Sequence, residues 1–252
     1  MGIGKNLMKK ISKALISVSN KKNLKLLLKN LLKHKIQIIS TGGTFKEINK
    51  LGYKCLELSE YTGSKEILNG RVKTLHPKVH AGILSIRGNK SHAKDLKKNN
   101  FEEIDLVVVN FYPFEKTIKR TNNHKKIIEN IDIGGPTMVR AAAKNYKDIT
   151  VITRPEQYNE LVEELNSNKS KTTLNFRQKM SEIAFSETAY YDGLISNYFN
   201  SQSKNLFPKK KIFFGNLIEK LRYGENPHQE AAIYSKNEDF KIKQLNGKKL
   251  SY

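Results

Sequence analysis

Two polar segments near the amino terminus carry groups that can bind a phosphate. Residues 17–21 (SVSNK) offer hydroxyls and an ammonium, and residues 40–44 (STGGT) offer backbone N–H groups that two glycines leave open to close approach. Each segment follows an apolar run and precedes a helical pattern, and helix amino termini attract anions. Together they predict a phosphate cradle. Each alone is also explained as an ordinary helix cap with turn glycines, and neither matches the P-loop or the dinucleotide-binding pattern.

A third segment, residues 70–77 (GRVKTLHP), places three cationic or titratable side chains between a glycine and a proline. It has little apolar periodicity, which favours a ligand-binding loop over a packing segment. His76 and His80 have a spacing that suits two metal ligands on one helix, but Pro77 lies between them and no third ligand is evident. A metal site is therefore not predicted.

Two further segments carry groups that can transfer protons. Tyr112 follows three valines on a turn fixed by Pro113, where it either donates to a ligand or packs as a half-buried aromatic. Asp132 stands before a helix that begins with Gly-Gly-Pro, and Lys144 lies one turn beyond Arg140 on the same face of that helix. Taken alone, Asp132 is explained as a helix-dipole carboxylate and Lys144 as a solvated cation, so both interpretations stay open.

The elements that must position these segments alternate between apolar runs and helical patterns. Apolar runs of strand length occur at 14–18, 36–39, 53–58, 104–109 and 149–153. Strand–turn–helix units repeated in this way predict an α/β fold with a doubly wound parallel sheet. Ligands bind outside the carboxyl ends of the strands in such sheets, and the polar segments lie at or near those ends.

The pattern changes beyond residue 154. Helical stretches at about 155–166 and 172–199 are expected to flank the sheet and to serve packing or dimerisation. A polar stretch at about 200–211 predicts a linker, and residues 212–252 are too few to fold alone.

Composition limits the class of protein. The chain has 252 residues, 38% of them hydrophobic and 28% charged, which is typical of a folded globular protein. Its net charge of +22 comes from 39 lysines and seven arginines against 24 acidic residues. Because lysine dominates and no basic stripe alternates with aromatics, we favour compositional drift plus a small anionic ligand over nucleic-acid binding.

The sequence also bears on where the protein is located. The single cysteine, Cys55, excludes an internal disulfide, and no apolar run is long enough to cross a membrane. A cytoplasmic protein without a secretory signal is therefore expected.

Six motifs occur in a fixed order along the chain: SVSNK, STGGT, GRVKTLHPKVHAGIL, NFYPF, IDIGGPTMVRAAAKN and LRYGENPHQ. As a set they resemble, over essentially the whole chain from Ala14, the bifunctional purine-biosynthesis proteins that join an IMP cyclohydrolase domain to an AICAR transformylase domain. The resemblance implies a methylglyoxal-synthase-like α/β fold, a homodimer, and ring closure of FAICAR to IMP with loss of water. It implies no metal or organic cofactor for this step, whereas 10-formyltetrahydrofolate is the co-substrate of the transformylase.

The resemblance also assigns roles to residues. It implies substrate binding by Ser19, Asn20, Lys21, Thr41, Gly42, Gly43, Thr44, Arg71, Val72, Thr74, Asn110, Ile133, Arg222 and Tyr223. Lys144 is expected to be the proton donor and acceptor, and Asp132 to orient or deprotonate the attacking amide. Lys73 and Tyr112 are expected to polarise the formyl oxygen. Asn20 stands where many relatives carry Asp, a change that we expect to be neutral beside a phosphate.

The implied domains are an amino-terminal extension (1–13), the cyclohydrolase domain (14–200), a linker (201–211) and the truncated start of the transformylase domain (212–252). The catalytic Lys-His motif of the transformylase is not in this sequence, so formyl transfer is not expected from this chain. Whether the chain is a fragment or the product of a shortened gene stays open.

Two other functions compete with the cyclohydrolase. The same fold serves as a ligand-sensing module in the related regulatory domain of carbamoyl-phosphate synthetase, but a phosphate sensor does not need Lys73, Tyr112, Asp132 and Lys144 as a set. A nucleic-acid-binding protein is suggested by the charge alone.

Overall fold

The computed structural model describes residues 8–203, 207–236, 246–248 and 250–251. The chain forms two compact units that divide between Thr188 and Ala189. The domain limits expected from the sequence remain predictions.

The strands are β1 (Lys9–Lys10), β2 (Lys13–Val18), β3 (Gln37–Ser40), β4 (Leu56–Glu57), β5 (Leu106–Asn110), β6 (Thr150–Ile152), β7 (Lys171–Thr172), β8 (Asn216–Lys220) and β9 (Ala232–Ser235). The helices are α1 (Leu24–Lys33), α2 (Gly42–Lys50), α3 (Leu58–Thr62), α4 (Pro77–Leu84), α5 (Lys90–Lys98), α6 (Phe114–Arg120), α7 (His124–Glu129), α8 (Gly134–Lys144), α9 (Tyr158–Ser167) and α10 (Leu174–Gln202). Short 3₁₀ turns lie at Leu68–Gly70 and Pro155–Gln157.

The first unit is built on a five-stranded parallel sheet in the order β4-β3-β2-β5-β6. The first strand of this sheet in the chain, β2, is also its central strand: Ala14 pairs with Ile38 of β3 on one side and with Leu106 of β5 on the other. The predicted α/β class with a parallel sheet is confirmed.

Both faces of this sheet are buried. Leu15 and Ile16 of β2 point to opposite faces, and each is 0% exposed. Val107 and Val108 of β5 behave in the same way, at 0% and 1%. Helices therefore cover both faces, which explains why the strands appear in the sequence as continuous apolar runs.

The edge strand β4 is shorter than predicted. An apolar run over 53–58 predicted a strand, but only Leu56 and Glu57 pair with β3, opposite Ile39 and Ser40. The chain turns into α3 at Leu58, whose side chain is buried in the core. Burial of Leu58 on a helix, rather than on a strand, accounts for the difference.

The second unit contains the end of α10 and the antiparallel pair of β8 and β9. The rings of Tyr190 and Phe214 pack edge to face, with centroids 4.9 Å apart. Within the predicted linker at 200–211, α10 extends to Gln202, and residues 204–206 lie outside the described part of the chain. No helix among the described residues has the length and apolar character needed to span a membrane.

Candidate active site

The strand order creates a crevice at one edge of the sheet. After β2 the chain continues to β3 on one side, and β5 lies on the other, so the connections diverge between β2 and β5. Ligands of parallel sheets bind at such a switch point, outside the carboxyl ends of the strands. A cavity of about 740 Å³ lies there, lined by the residues that follow β2 and β3 and by Asn110 at the end of β5.

Asn110 ties the end of β5 to the loop after β2. Its Oδ1 accepts hydrogen bonds from the backbone N–H groups of Ser19 (2.7 Å) and Asn20 (2.8 Å) and from the Ser19 hydroxyl (3.0 Å). Its Nδ2 donates to the backbone oxygen of Asn20 (3.0 Å). The carboxamide of Asn110 is thus occupied in shaping the cavity wall, and the exposed Asn20 side chain accepts from the N–H of Lys22 instead of lining the cavity.

The STGGT segment forms the start of α2. The Thr44 hydroxyl is buried and bonds both the backbone N–H and the backbone oxygen of Val18, at 3.0 and 2.9 Å. Thr41 precedes the helix without a capping hydrogen bond from its side chain, and its hydroxyl lies 2.9 Å from that of Ser17. Gly42 and Gly43 line the cavity at the first turn of α2, and the N–H groups that follow them, those of Thr44 and Phe45, donate to the backbone oxygen of Thr41 at 2.9 and 3.0 Å.

The GRVKTLHP loop brings two cations to the cavity, and each is paired with a carboxylate. The Arg71 guanidinium forms a bidentate pair with Glu129, which also lines the cavity. Lys73 Nζ lies 2.9 Å from Glu66 Oε2. Val72 does not line the cavity; its backbone pairs with that of Ile67.

The loop also contacts the start of α8 through Thr74. Thr74 is buried, and a Cβ on Gly134 would lie 2.3 Å from its hydroxyl oxygen. This close contact needs a glycine at position 134. His76, in the same loop, caps α4 by accepting the N–H of Lys78 at its Nδ1 (3.1 Å).

Asp132 and Tyr112 face the same cavity. Asp132 lies just before α8, and its carboxylate accepts a hydrogen bond from the backbone N–H of Gly135 in the first turn of that helix (2.8 Å). Burial raises the pKa of Asp132 above its ordinary value of 3.8, and hydrogen bonds from the backbone of Gly135 and Tyr112 oppose this shift. Tyr112 is 50% exposed, so its hydroxyl is accessible to a ligand. A partly buried carboxyl with a raised pKa beside a phenol is suited to proton transfer.

Lys144 does not lie in this cavity. It ends the eleven-residue helix α8, and Asp132 lies two residues before the other end of that helix. A helix of this length is about 16 Å long. Lys144 instead lines a second, open cavity of about 560 Å³ with Arg140, His80 and Phe185. Arg222 and Tyr223 belong to the second unit, where the guanidinium donates to the phenol oxygen (3.1 Å).

The structure gathers most of the predicted residues in the first cavity. They are Ser19, Lys21, Thr41, Gly42, Gly43, Thr44, Arg71, Lys73, Thr74, Asn110, Tyr112, Asp132 and Ile133. Glu66 and Glu129 were not predicted, because no motif marks either residue and Glu129 meets Arg71 from 58 positions away. Among the described residues, no group of three or more His, Cys, Asp or Glu side chains is placed to hold a metal ion.

Two family models match the chain. Residues 23–137 match the MGS-like domain, and residues 142–252 match the AICARFT/IMPCHase bienzyme. A solved structure titled "Crystal structure of ForH" is 28% identical, with a TM-score of 0.67, and the match covers 75% of this chain and 99% of that chain.

Curated relatives match nearly the whole chain. The Bifunctional purine biosynthesis protein PurH of Bradyrhizobium diazoefficiens is 48% identical over 248 residues, which cover 97% of this chain and 47% of that protein. The protein of the same name from Elusimicrobium minutum is 44% identical over 246 residues, covering 97% and 48%. The chain therefore spans about half the length of the curated relatives it matches.

The strand order and the cavity at its switch point define the first unit as an MGS-like α/β domain. The family match over residues 142–252 and the curated relatives narrow this class to one kind of protein. Residues 142–252 match the AICARFT/IMPCHase bienzyme family, and the curated relatives are bifunctional purine-biosynthesis proteins, so the resemblance seen in the motifs is confirmed.

Proposed function

We propose that this chain is an IMP cyclohydrolase, which closes the ring of FAICAR to give IMP and water. The observation that carries the proposal is a single cavity that combines an anion-binding half with a proton-transfer half. Gly42, Gly43 and Arg71 lie in the first half, and Asp132 and Tyr112 lie in the second. The family of the chain supports the same reaction.

The anion-binding half is suited to the substrate phosphate. The first turn of α2 presents backbone N–H groups at the positive end of the helix dipole, and two glycines keep that approach free of side chains. Lys21 and Arg71 add positive charge at the cavity wall. The phosphate replaces Glu129 as the partner of the Arg71 guanidinium, so binding exchanges one ion pair for another.

The reaction needs two proton movements around one new bond. The carboxamide nitrogen of FAICAR attacks the formamido carbon, and the carbonyl oxygen gains negative charge as the C–N bond forms. Asp132 accepts a proton from the attacking nitrogen, which its raised pKa favours. Lys73 and Tyr112 donate hydrogen bonds to the oxygen, which leaves as water once it is protonated. The oxygen takes up two protons in all, which balance the proton that Asp132 takes from the carboxamide nitrogen and the proton that the formamido nitrogen loses as the C=N bond of IMP forms.

We further propose that the active form is a homodimer and that Lys144 acts across it. Within one chain Lys144 lies at the far end of α8 from Asp132, farther than a lysine side chain reaches. A second copy of the chain can bring its own Lys144 to the cavity. Lys144 then serves as the proton donor and acceptor expected from the sequence.

The remaining proposals concern the setting of the reaction. The ring closure uses no metal or organic cofactor, and the partners are FAICAR and IMP, with no nucleic acid or membrane. 10-formyltetrahydrofolate belongs to formyl transfer, and no residue of the first cavity is proposed to bind it. The free thiol of Cys55 is compatible with the reducing cytoplasm, which we propose as the location.

Incubating the purified chain with FAICAR, while following the absorbance change of IMP formation, tests the proposal. Turnover supports it. A folded chain that binds IMP without turning over FAICAR is instead a ligand-sensing relative.

A further inference from the structure

Glu66 and Lys73 face each other across a small hairpin. Ile67 and Val72 form an antiparallel bridge, so the residues just outside it, Glu66 and Lys73, are cross-strand neighbours. The turn between them is closed by residues with positive φ, including Asn69 (53°). Lys73 Nζ lies 2.9 Å from Glu66 Oε2, and the two side chains are 32% and 40% exposed.

Two glycines make room for this ion pair. A Cβ on Gly70 would lie 2.6 Å from Cε of Lys73, and a Cβ on Gly42 would lie 3.2 Å from its Nζ. Both glycines have positive φ, at 85° and 40°. The lysine side chain therefore lies in a slot between the loop and the first turn of α2.

Lys73 forms the wall between two spaces. It lines the first cavity and also a small pocket behind it, whose other residues include Glu57, Ser59 and Glu66. Glu66 lines only the small pocket. The carboxylate thus contacts the ammonium from the side opposite to the proposed substrate.

We propose that Glu66 is a positioning residue, whose carboxylate holds the Lys73 ammonium at the cavity wall for the reaction. This inference rests on the proposed function, in which Lys73 meets the oxygen of the formamido group. A lysine has four rotatable side-chain bonds, and catalysis requires its ammonium at one place when charge develops. Glu66 restricts Lys73 to that place and does not touch the substrate itself.

A double-mutant cycle tests this inference. We expect Glu66→Gln to lower kcat about three- to tenfold, as fits a partly exposed ion pair, with a smaller change in KM for FAICAR. Glu66→Asp is expected to restore part of the loss. In a Lys73→Ala background, Glu66→Gln is expected to change kcat less than about twofold, because the residue acts only through Lys73. Glu60→Gln, at an exposed carboxylate on α3, serves as the matched control.

Three results overturn the inference. They are full activity of Glu66→Gln, an equal loss in the wild-type and Lys73→Ala backgrounds, or a fall in melting temperature that accounts for the whole loss. An inactive wild type refutes the proposed function first. In that case the four proteins of the cycle, which are the wild type, Glu66→Gln, Lys73→Ala and the double variant, are compared by their affinity for IMP. Coupling between the two positions in that affinity supports the positioning role, and additive effects or absence of IMP binding refute it.

Discussion

Asp132 and Gly135 fit together with no room for a side chain at position 135. The Asp132 carboxylate accepts the Gly135 N–H at 2.8 Å, and a Cβ on Gly135 would lie 2.4 Å from its second oxygen. The glycine at the start of α8 therefore fixes where the carboxylate can lie. The glycines of the IDIGG motif, which the sequence presents as a helix start, thus also set the position of Asp132, the proposed proton acceptor.

Gly135→Ala is predicted to separate activity from stability. Alanine favours the helix by about 1 kcal/mol, which offsets part of the cost of the close contact. The displaced Asp132 carboxylate is expected to lower kcat about 10- to 100-fold. FAICAR turnover and thermal unfolding measure the two effects. Ser186→Ala, at an exposed residue of α10 outside both cavities, is the control, and an unchanged kcat in Gly135→Ala contradicts the assigned position of Asp132.

Asp132→Asn is predicted to stabilise the protein at neutral pH. Because burial raises the pKa of Asp132 above 3.8, the folded chain binds this proton more tightly than the unfolded chain does. Its contribution to stability is full below the ordinary pKa and is lost as the pH rises through the interval between the ordinary and the raised value. Asparagine avoids that loss and still accepts the Gly135 N–H. The melting temperature of Asp132→Asn is expected to exceed that of the wild type at about pH 7, with a gap that closes towards about pH 4. A gap that widens in acid is the contrary result.

Glu129→Gln is predicted to tighten IMP binding. Glu129 pairs with Arg71 at the wall of the first cavity, and the phosphate must compete with this carboxylate. The Arg71 side chain is 64% exposed and the Glu129 side chain is 50% exposed. Because water screens such an ion pair, the gain is limited to about two- to fivefold in Kd. Calorimetric titration with IMP and with inosine separates the phosphate effect, because inosine is expected to show no gain. Glu115→Gln, which removes an ion pair on α6, is the control, and weaker IMP binding by Glu129→Gln opposes the exchange of partners.

Subunit mixing tests whether Lys144 acts across a dimer. Lys144→Ala and Asp132→Asn are each expected to be nearly inactive. Coexpression in equal amounts makes half of the dimers mixed, and each mixed dimer has one cavity with an intact Asp132 and an intact Lys144 from the other chain. Recovery of about one quarter of the wild-type activity is therefore expected. If verified mixed dimers show no recovery, Lys144 either takes no part in the reaction or acts in the cavity of its own chain, and the proposal that it acts across the dimer is wrong.

The parts of the site that were predictable from sequence are those set by the sheet. Parallel strands end at one edge, so Lys21, Thr41 and Asn110 meet although the chain separates them. Burial on both faces made the strands recognisable, except at β4, where only two residues pair. The length of α8 also places Lys144 and Asp132 far apart, near opposite ends of that helix. The order of the motifs along the chain does not by itself reveal this separation.

The carboxylates that hold the cations were not predictable in this way. Glu129 reaches Arg71 only because α7 returns to the cavity, and Glu66 reaches Lys73 through a hairpin with positive φ at Leu68 and Asn69, which are not turn glycines. Such contacts depend on the folded path of the chain rather than on local residue types. The structure was needed to find them.

The most direct test of the central claim is the turnover of FAICAR by the wild type beside Asp132→Asn, with IMP identified as the product. The proposed chemistry predicts IMP formation by the wild type and a fall in kcat of about 100-fold or more in the variant, with IMP binding retained. Wild-type protein that is folded and binds IMP but forms none from FAICAR contradicts the claim, as does an Asp132→Asn variant with the turnover of the wild type.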